Sequence, residues 1–242
     1  MTDLPDADFW QAFLPAPASE PAVWRDAFLA AMPDGSRLAL PLRDLGEAAV
    51  AGLIVNQASF LVLDRLIGWM TDMAAGFGAD LVMGLPTLGH AVAPGVARGL
   101  GHPRWVAAGT TRKLWYDPAL SVPTHSITSP APAGPEGGRR MWLDPRLLPR
   151  LRGRRVLLVD DVISTGTSAR AGLALLAAAG VTPAALCVAM TQGDRWRHGW
   201  DPAIPVVAAF ATPRFRRVAG GWAVEPGTLA GPGPKPGRGR WE

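Results

Sequence analysis

A single cysteine, Cys187, excludes an internal disulfide and any zinc cluster built on several thiolates. The four histidines, His90, His102, His125 and His198, stand far apart and never at the i, i+4 spacing that pairs metal ligands on one helix face. A dedicated metal cage is therefore not expected. No apolar run reaches the ~20 residues of a membrane span before charge, Gly or Pro interrupts it. The opening residues MTDLPDADFW are acidic and lack the basic-then-apolar order of a secretory signal. We expect a soluble chain with a cytoplasmic home. Internal repeats and a helix-turn-helix or RNA-binding module are missing as well. So is the Gly-x-x-x-x-Gly-Lys-Ser/Thr loop that a Walker-type site requires. The formal charge of +4 is a small excess of Arg over carboxylates, which suits a phosphate-rich small ligand as well as it suits RNA.

What is present is apolar material for a sizeable core, 48% of the 242 residues. Residues 1–35 mix Pro, acidic residues and Trp10 and Trp24, with a short helical candidate from Ala22 to Met32; we read them as a decorating segment. The main domain is expected over 36–226. Apolar residues at Leu63, Leu66, Ile67, Met70, Met73 and Phe77 recur with helical period and predict an amphipathic helix over 57–77. A short apolar run, 80–84, is followed by a turn-rich loop, 85–89, a helical segment, 90–100, and a second run, 104–108. The rhythm repeats as a strand over 154–160, a loop over 161–166, a helix over 167–179 and a strand over 184–190. Two strand–helix–strand units in series predict an α/β fold, a mainly parallel sheet with helices on both faces. Between them, residues 109–150 are long and rich in Pro, Gly, Ser and Thr, and 109–140 is the expected flexible loop. The Gly/Pro-rich basic stretch 227–242 reads as a disordered tail.

The informative stretch is Arg155-Val-Leu-Leu-Val-Asp-Asp-Val-Ile-Ser-Thr-Gly-Thr-Ser168. An apolar strand ends in two carboxylates, and a hydroxyl-and-glycine loop opens directly into an Ala/Leu-rich helix. Open α/β sheets bind ligands at this end of their strands. Successive backbone N–H groups, nearby hydroxyls and a helix N-terminus over 164–168 make a site for a phosphate dianion. Asp160 and Asp161 lie just before it, at the reach of a sugar's neighbouring hydroxyls. A second reading is purely architectural: the carboxylates cap the strand, and Thr167 or Ser168 caps the helix.

The order "apolar strand, Asp-Asp, x-x-x, Thr-Gly-Thr-Ser" resembles the PRPP-binding signature of type I phosphoribosyltransferases (PRPP is 5-phosphoribosyl 1-pyrophosphate). The run from Val55-Asn-Gln57 through Leu100-Gly101-His-Pro103, with Ser126-Ile-Thr128 downstream, is similar in order to the xanthine and adenine members. The resemblance implies the type I phosphoribosyltransferase fold and transfer of ribose 5-phosphate from PRPP to a nucleobase, with a purine expected. It implies that Asp160 and Asp161 hold the ribose, and that Ser164, Thr165, Gly166, Thr167 and Ser168 hold the 5-phosphate. The backbone of Leu85, Thr87, Leu88 and Gly89 would bind pyrophosphate, Asn56 would touch the base, and Arg112 and Lys113 would help the leaving group. Mg²⁺ would be carried mainly by PRPP itself, residues 109–140 would form a mobile cover, and the assembly would be a homodimer.

This chain departs from the pattern in four ways. Pro86 stands where the relatives carry an acidic residue, Ala108-Gly-Thr-Thr111 separates the second strand from Arg112-Lys113, and Ser164 replaces the Asp of hypoxanthine-guanine enzymes. The lysine that xanthine enzymes place after the strand ending near Met190 has no counterpart in Met190-Thr-Gln-Gly-Asp194. An alternative from another class is a regulator that senses PRPP without chemistry and binds nucleic acid through arginines such as Arg150, Arg152, Arg154 and Arg155.

Overall fold

The computed structural model describes residues 8–124 and 139–229. Its centre is a five-stranded, wholly parallel sheet. The strands are β5 (Leu81–Gly84), β6 (Val106–Ala107), β9 (Val156–Ile163), β10 (Pro183–Gln192) and β11 (Val206–Thr212), in the order β11-β10-β9-β5-β6. Buried on both faces, the inner strands are nearly continuous apolar runs, Val-Leu-Leu-Val in β9 and Ala-Leu-Cys-Val-Ala-Met in β10. Helices α1 (Phe60–Ala74) and α2 (Gly89–Gly99) cover one face, where Val62, Leu66, Met70, Val92 and Val96 meet Leu157, Val159 and Cys187. Past a single turn, α3 (Leu148–Leu151), helix α4 (Thr167–Ala178) covers the other, setting Leu175 and Leu176 against Val156, Leu158, Leu186 and Val188. The expected α/β fold with helices on both faces is what the chain forms.

Local chemistry explains these elements. Ser59 starts α1, its Oγ accepting from the Val62 amide at 3.2 Å, and the buried positions 62, 66, 70 and 74 form a single stripe. A 3₁₀ turn, Ala75–Phe77, prolongs the helix to left-handed Gly78, where the Arg155 guanidinium donates to the carbonyls of Phe77 and Gly78 at 2.7 and 3.1 Å. Helix α2 lies close on α1 because its contact positions are glycines. A methyl group on Gly95 would sit 2.6 Å from Ile67 Cδ1, and one on Gly99 would sit 2.7 Å from Thr71 Oγ1.

A second sheet stands over the strand ends. It contains β1 (Phe13–Leu14), β2 (Ala27–Ala31), β3 (Arg37–Asp44), β4 (Ala48–Ala51), β12 (Arg214–Val218) and β13 (Gly221–Val224), with antiparallel pairing throughout. The sequence pattern did not reveal it. The helix expected over 22–32 is in fact strand β2, paired with β3 from Ala27↔Pro41 to Ala31↔Arg37. Nor do residues 8–35 merely decorate the domain. Phe9, Trp10, Trp24, Phe28 and Met32 are buried in the same core as α1 and α2, and Phe28 meets the fully buried Phe215 edge-on at 5.0 Å.

Two other expectations are corrected. Part of the stretch read as a flexible loop, 121–124 and 139–140, belongs to the two arms of a hairpin, β7 (Ser121–Thr124) and β8 (Arg139–Trp142), rooted by Leu120, Met141 and Leu143 in the core beneath α4. Residues 125–138, including Ser126-Ile-Thr128, lie outside the described residues. The tail read as starting at 227 joins the fold at least through Thr228, which is buried and accepts from the Arg214 amide at 2.9 Å. Residues 230–242 lie outside the described residues. Among the described residues, no helix is long and apolar enough to cross a membrane.

If residues 8–35 are core, truncating Phe28 to Ala costs stability on the scale of a buried aromatic, about 3–5 kcal/mol. Denaturant titration checks this, and a loss below about 1 kcal/mol would return the segment to the role of decoration.

Candidate functional site

Strand β9 carries Asp160 and Asp161 to the carboxyl edge of the sheet, and after Ile163 the chain turns through Ser164-Thr-Gly166 into α4. Gly166 takes φ 77°, a left-handed conformation that costs glycine little. No side chain caps α4, so the first-turn amides keep their capacity for an anion. The Thr165 and Thr167 hydroxyls lie 3.0 Å apart beside them.

Two arginines that sequence reasoning missed flank this loop. Arg170 reaches back one turn and donates from Nη2 to the Thr165 carbonyl at 2.7 Å, while its buried Nη1 has no partner. Arg195, just past the end of β10, directs Nη2 at Ser164 Oγ at 3.3 Å, and its Nε is likewise buried without a partner. Burial, followed by the nearby Arg214 charge, lowers the pKa of Arg195 from its ordinary value. Unpaired buried donors beside a helix N-terminus favour an incoming polyanion. A signal for both was available. Arg170 follows Gly166 by one helical turn, and Arg195 follows a strand that must end at the same edge as β9 because the two are parallel.

The aspartates differ in setting. Asp160 is 6% exposed, and its Oδ1 accepts from the Asp161 amide at 2.9 Å. The Gly89 amide also donates to Asp160, an approach that requires glycine, since a Cβ there would lie 2.9 Å from Asp160 Oδ1. Burial holds the Asp160 carboxyl well above the ordinary carboxylate range, and the Asp161 charge pushes it further. Asp161 is more open to the cleft, and its pKa is also raised by burial, against the pull of hydrogen bonds from Asp160 and the local backbone.

Both aspartates and residues 164–168 line one cleft of about 1090 Å³. Of the first loop, Thr87 and Leu88 reach it, together with Pro86, and the Pro86–Thr87 bond is cis. Leu85 does not. Its side chain is in the core and its amide donates to the Val159 carbonyl at 2.8 Å, while the Gly89 amide is engaged by Asp160. With Pro86 lacking an N–H, Thr87 and Leu88 are the loop amides left for an anion. Asn56 sits exposed on a 3₁₀ turn, and its neighbours Leu53 and Ile54 line the cleft in its place. Arg112 and Lys113 also fall outside it. They border a separate cleft with Leu114 and Trp115, and Arg112 stacks on Trp142 at 5.6 Å. Their displacement follows from the four residues inserted after Ala107, which carry them out along the hairpin root. Arg43, Thr110, Thr124, Arg139 and Gln192 complete the polar lining and were not anticipated.

A family model described as phosphoribosyl transferase domain matches residues 53–206, more than half the chain. The chain belongs to the phosphoribosyltransferase family. Among curated relatives, an amidophosphoribosyltransferase of Synechocystis is 33% identical over 129 residues, covering 53% of this chain and 24% of that protein. An orotate phosphoribosyltransferase of Stenotrophomonas maltophilia is 46% identical over 59 residues, 24% of either chain. The match thus spans about a quarter of the length of these relatives. Among solved structures, adenine phosphoribosyltransferase of Thermoanaerobacter pseudethanolicus superposes with a TM-score of 0.50 at 18% identity, covering 63% of this chain and 81% of that one. The adenine enzyme of Trypanosoma brucei, solved with AMP, pyrophosphate and ribose 5-phosphate, also gives 0.50, at 19% identity over 77% and 76% of the two chains. At that identity the likeness establishes the phosphoribosyltransferase fold.

The raised Asp160 pKa gives a signed pH prediction. An acid shifted upward by folding costs stability once pH exceeds its unfolded value near 3.8, where the unfolded chain ionises and the folded one resists. Asp160→Asn keeps an acceptor for the Gly89 and Asp161 amides. It is therefore expected to melt several degrees higher than the parent at pH 7, the gap closing below about pH 4. Paired melts at pH 7 and 3.5 check this, and a variant less stable at pH 7 would refute it.

Proposed function

We propose that this phosphoribosyltransferase moves ribose 5-phosphate from PRPP to a nucleobase, most naturally a purine, and releases pyrophosphate. The observation that supports it is the convergence of an uncapped helix N-terminus at 164–168, the Asp160–Asp161 pair and the 86–88 turn in one cleft. In this reading the amides and hydroxyls of residues 164–168 take the 5-phosphate, aided by Arg170 and Arg195. The ribose hydroxyls donate to Asp160 and Asp161. The Thr87 and Leu88 amides hold the pyrophosphate end, and the base enters from the antiparallel sheet. Holding these groups in line, and stabilising charge on the leaving pyrophosphate, is the protein's share of catalysis.

Hard carboxylate oxygens beside the cleft fit Mg²⁺, which binds readily through one or two carboxylates plus substrate phosphates. When bound with PRPP it would neutralise pyrophosphate charge. A homodimer belongs to the same reading by analogy with the family.

The displacement of Arg112 and Lys113 favours a second reading, a PRPP sensor without chemistry. Its nucleic-acid arm is weakened because Arg154 pairs with Asp80 and Arg155 is spent on the end of α1. Incubation with PRPP, Mg²⁺ and a panel of bases separates the two. Nucleotide and pyrophosphate in equal amounts support transfer, whereas saturable PRPP binding with no product supports sensing. For transfer, Arg195→Ala is expected to raise KM for PRPP about tenfold or more, as loss of a charged hydrogen bond to phosphate does. An unchanged KM would remove Arg195 from the phosphate site.

A further inference from the structure

We infer that Arg43 selects the nucleobase, favouring a ring edge rich in carbonyl oxygens over one that carries amino groups. This rests on the transfer reading above and adds the substrate class. Once the phosphate loop, the aspartate pair and the 86–88 turn are assigned, two walls of the cleft remain. Thr110, Thr124, Arg139 and Met141 form one, on the β7–β8 side next to α4. The other is supplied by β3, β4 and the residues around them: Leu45, Val50, Leu53 and Ile54, with Arg43 among them. Apolar side chains suit the faces of a heterocycle, which leaves its edge to the polar group on the same wall.

Arg43 lies opposite Val50 in the β3–β4 register. No carboxylate pairs with it among the described residues, and the adjacent Asp44 is held by Arg217 at 2.6 Å. The Arg43 stem crosses Gly52, where an added methyl group would sit 3.3 Å from both its Cγ and Nε, so glycine makes the room in which the side chain lies. A guanidinium offers donors in a rigid fork and no acceptor. It matches paired acceptors, as when arginine reads the carbonyl and ring nitrogen of guanine. An amino-bearing edge would set donor against donor, and discrimination of that kind is strong where a polar group is left unpaired. Gln192, also in the lining, has its amide nitrogen committed to the Ala51 carbonyl at 2.8 Å, which frees its oxygen to accept from a ring N–H. Dioxopurines present such an N–H between carbonyls. Arg43 precedes the family match at 53–206 and stands in the antiparallel sheet, outside the matched segment.

The test compares bases of equal size at saturating PRPP and Mg²⁺: xanthine against 2,6-diaminopurine, and hypoxanthine against adenine. The parent is expected to favour the oxo member of each pair by about tenfold or more in kcat/KM. Arg43→Ala should bring each preference within about twofold, chiefly through KM for the oxo base and with KM for PRPP unchanged, and Arg43→Lys should recover part of it. Arg43 is exposed, so its loss threatens the fold little. Gly52→Val, which crowds the stem, should shift preference in the same direction. A parent that prefers the amino bases, or a preference that survives in Arg43→Ala, overturns the inference. If no base reacts, the transfer reading falls instead. The selectivity is then read from equilibrium binding of the same four bases in the presence of ribose 5-phosphate, pyrophosphate and Mg²⁺, where equal affinities or no binding overturn it.

Discussion

Everything at the site depends on the parallel alignment of β5, β9 and β10. Parallel strands end at one edge, so the segments that follow them, 85–88, 164–166 and 193–195, arrive together although more than 70 residues separate the first two. An antiparallel neighbour would have sent one of these turns to the opposite end. The alignment is held by apolar burial on both faces, and its register is explicit: Gly84 opposite Val159, and Val159 opposite Cys187. From that register follow the approach of Gly89 to Asp160 and the reach of Arg195 to Ser164.

At the same edge, polar groups are buried with incomplete satisfaction. A carboxyl at 6% exposure and two guanidinium nitrogens without partners are costly in the absence of ligand. They sit around a helix terminus whose amides are also unspent. A phosphate and a pair of sugar hydroxyls would satisfy these groups at once, so binding affinity is stored in the free protein as unmade bonds. Glycine serves the same end by different means: Gly166 supplies a left-handed turn, Gly89 a close contact to a carboxylate, and Gly95 and Gly99 the tight seat of α2 on α1.

The parallel half of the fold was legible because its signals are local. Runs of four or more apolar residues, helical spacing in α1 and the Asp-Asp-x-x-x-Thr-Gly-Thr-Ser order each lie within one stretch of chain. The antiparallel half was not. Strand β2 reads Ala-Phe-Leu-Ala-Ala, good helix material, and becomes a strand because β3 offers a ladder and Phe28 a place against Phe215. Among the site residues, those in the signature line one cleft. Asn56, Arg112 and Lys113 had been placed by resemblance alone, and the local insertion after Ala107 and the turn at 55–57 put them elsewhere. Arg43, Arg170 and Arg195 escaped notice because an arginine carries no positional signal until the edge it faces is known.

The pairing of β4 with β12 joins Val50 to Arg214 and Ala48 to Arg216, across more than 160 residues of sequence. This wall of the cleft is therefore a late product of synthesis. On a ribosome, β3 and β4 emerge long before the strand that completes their sheet, and until residues 214–218 appear the Ala48–Ala51 edge lacks its ladder partner. The parallel sheet can assemble through β10 while that edge waits. Loop closure over such a span is slow and leaves an unpaired strand edge in the interval. That wall of the cleft is thus the part of the molecule most exposed to misassembly during its own making.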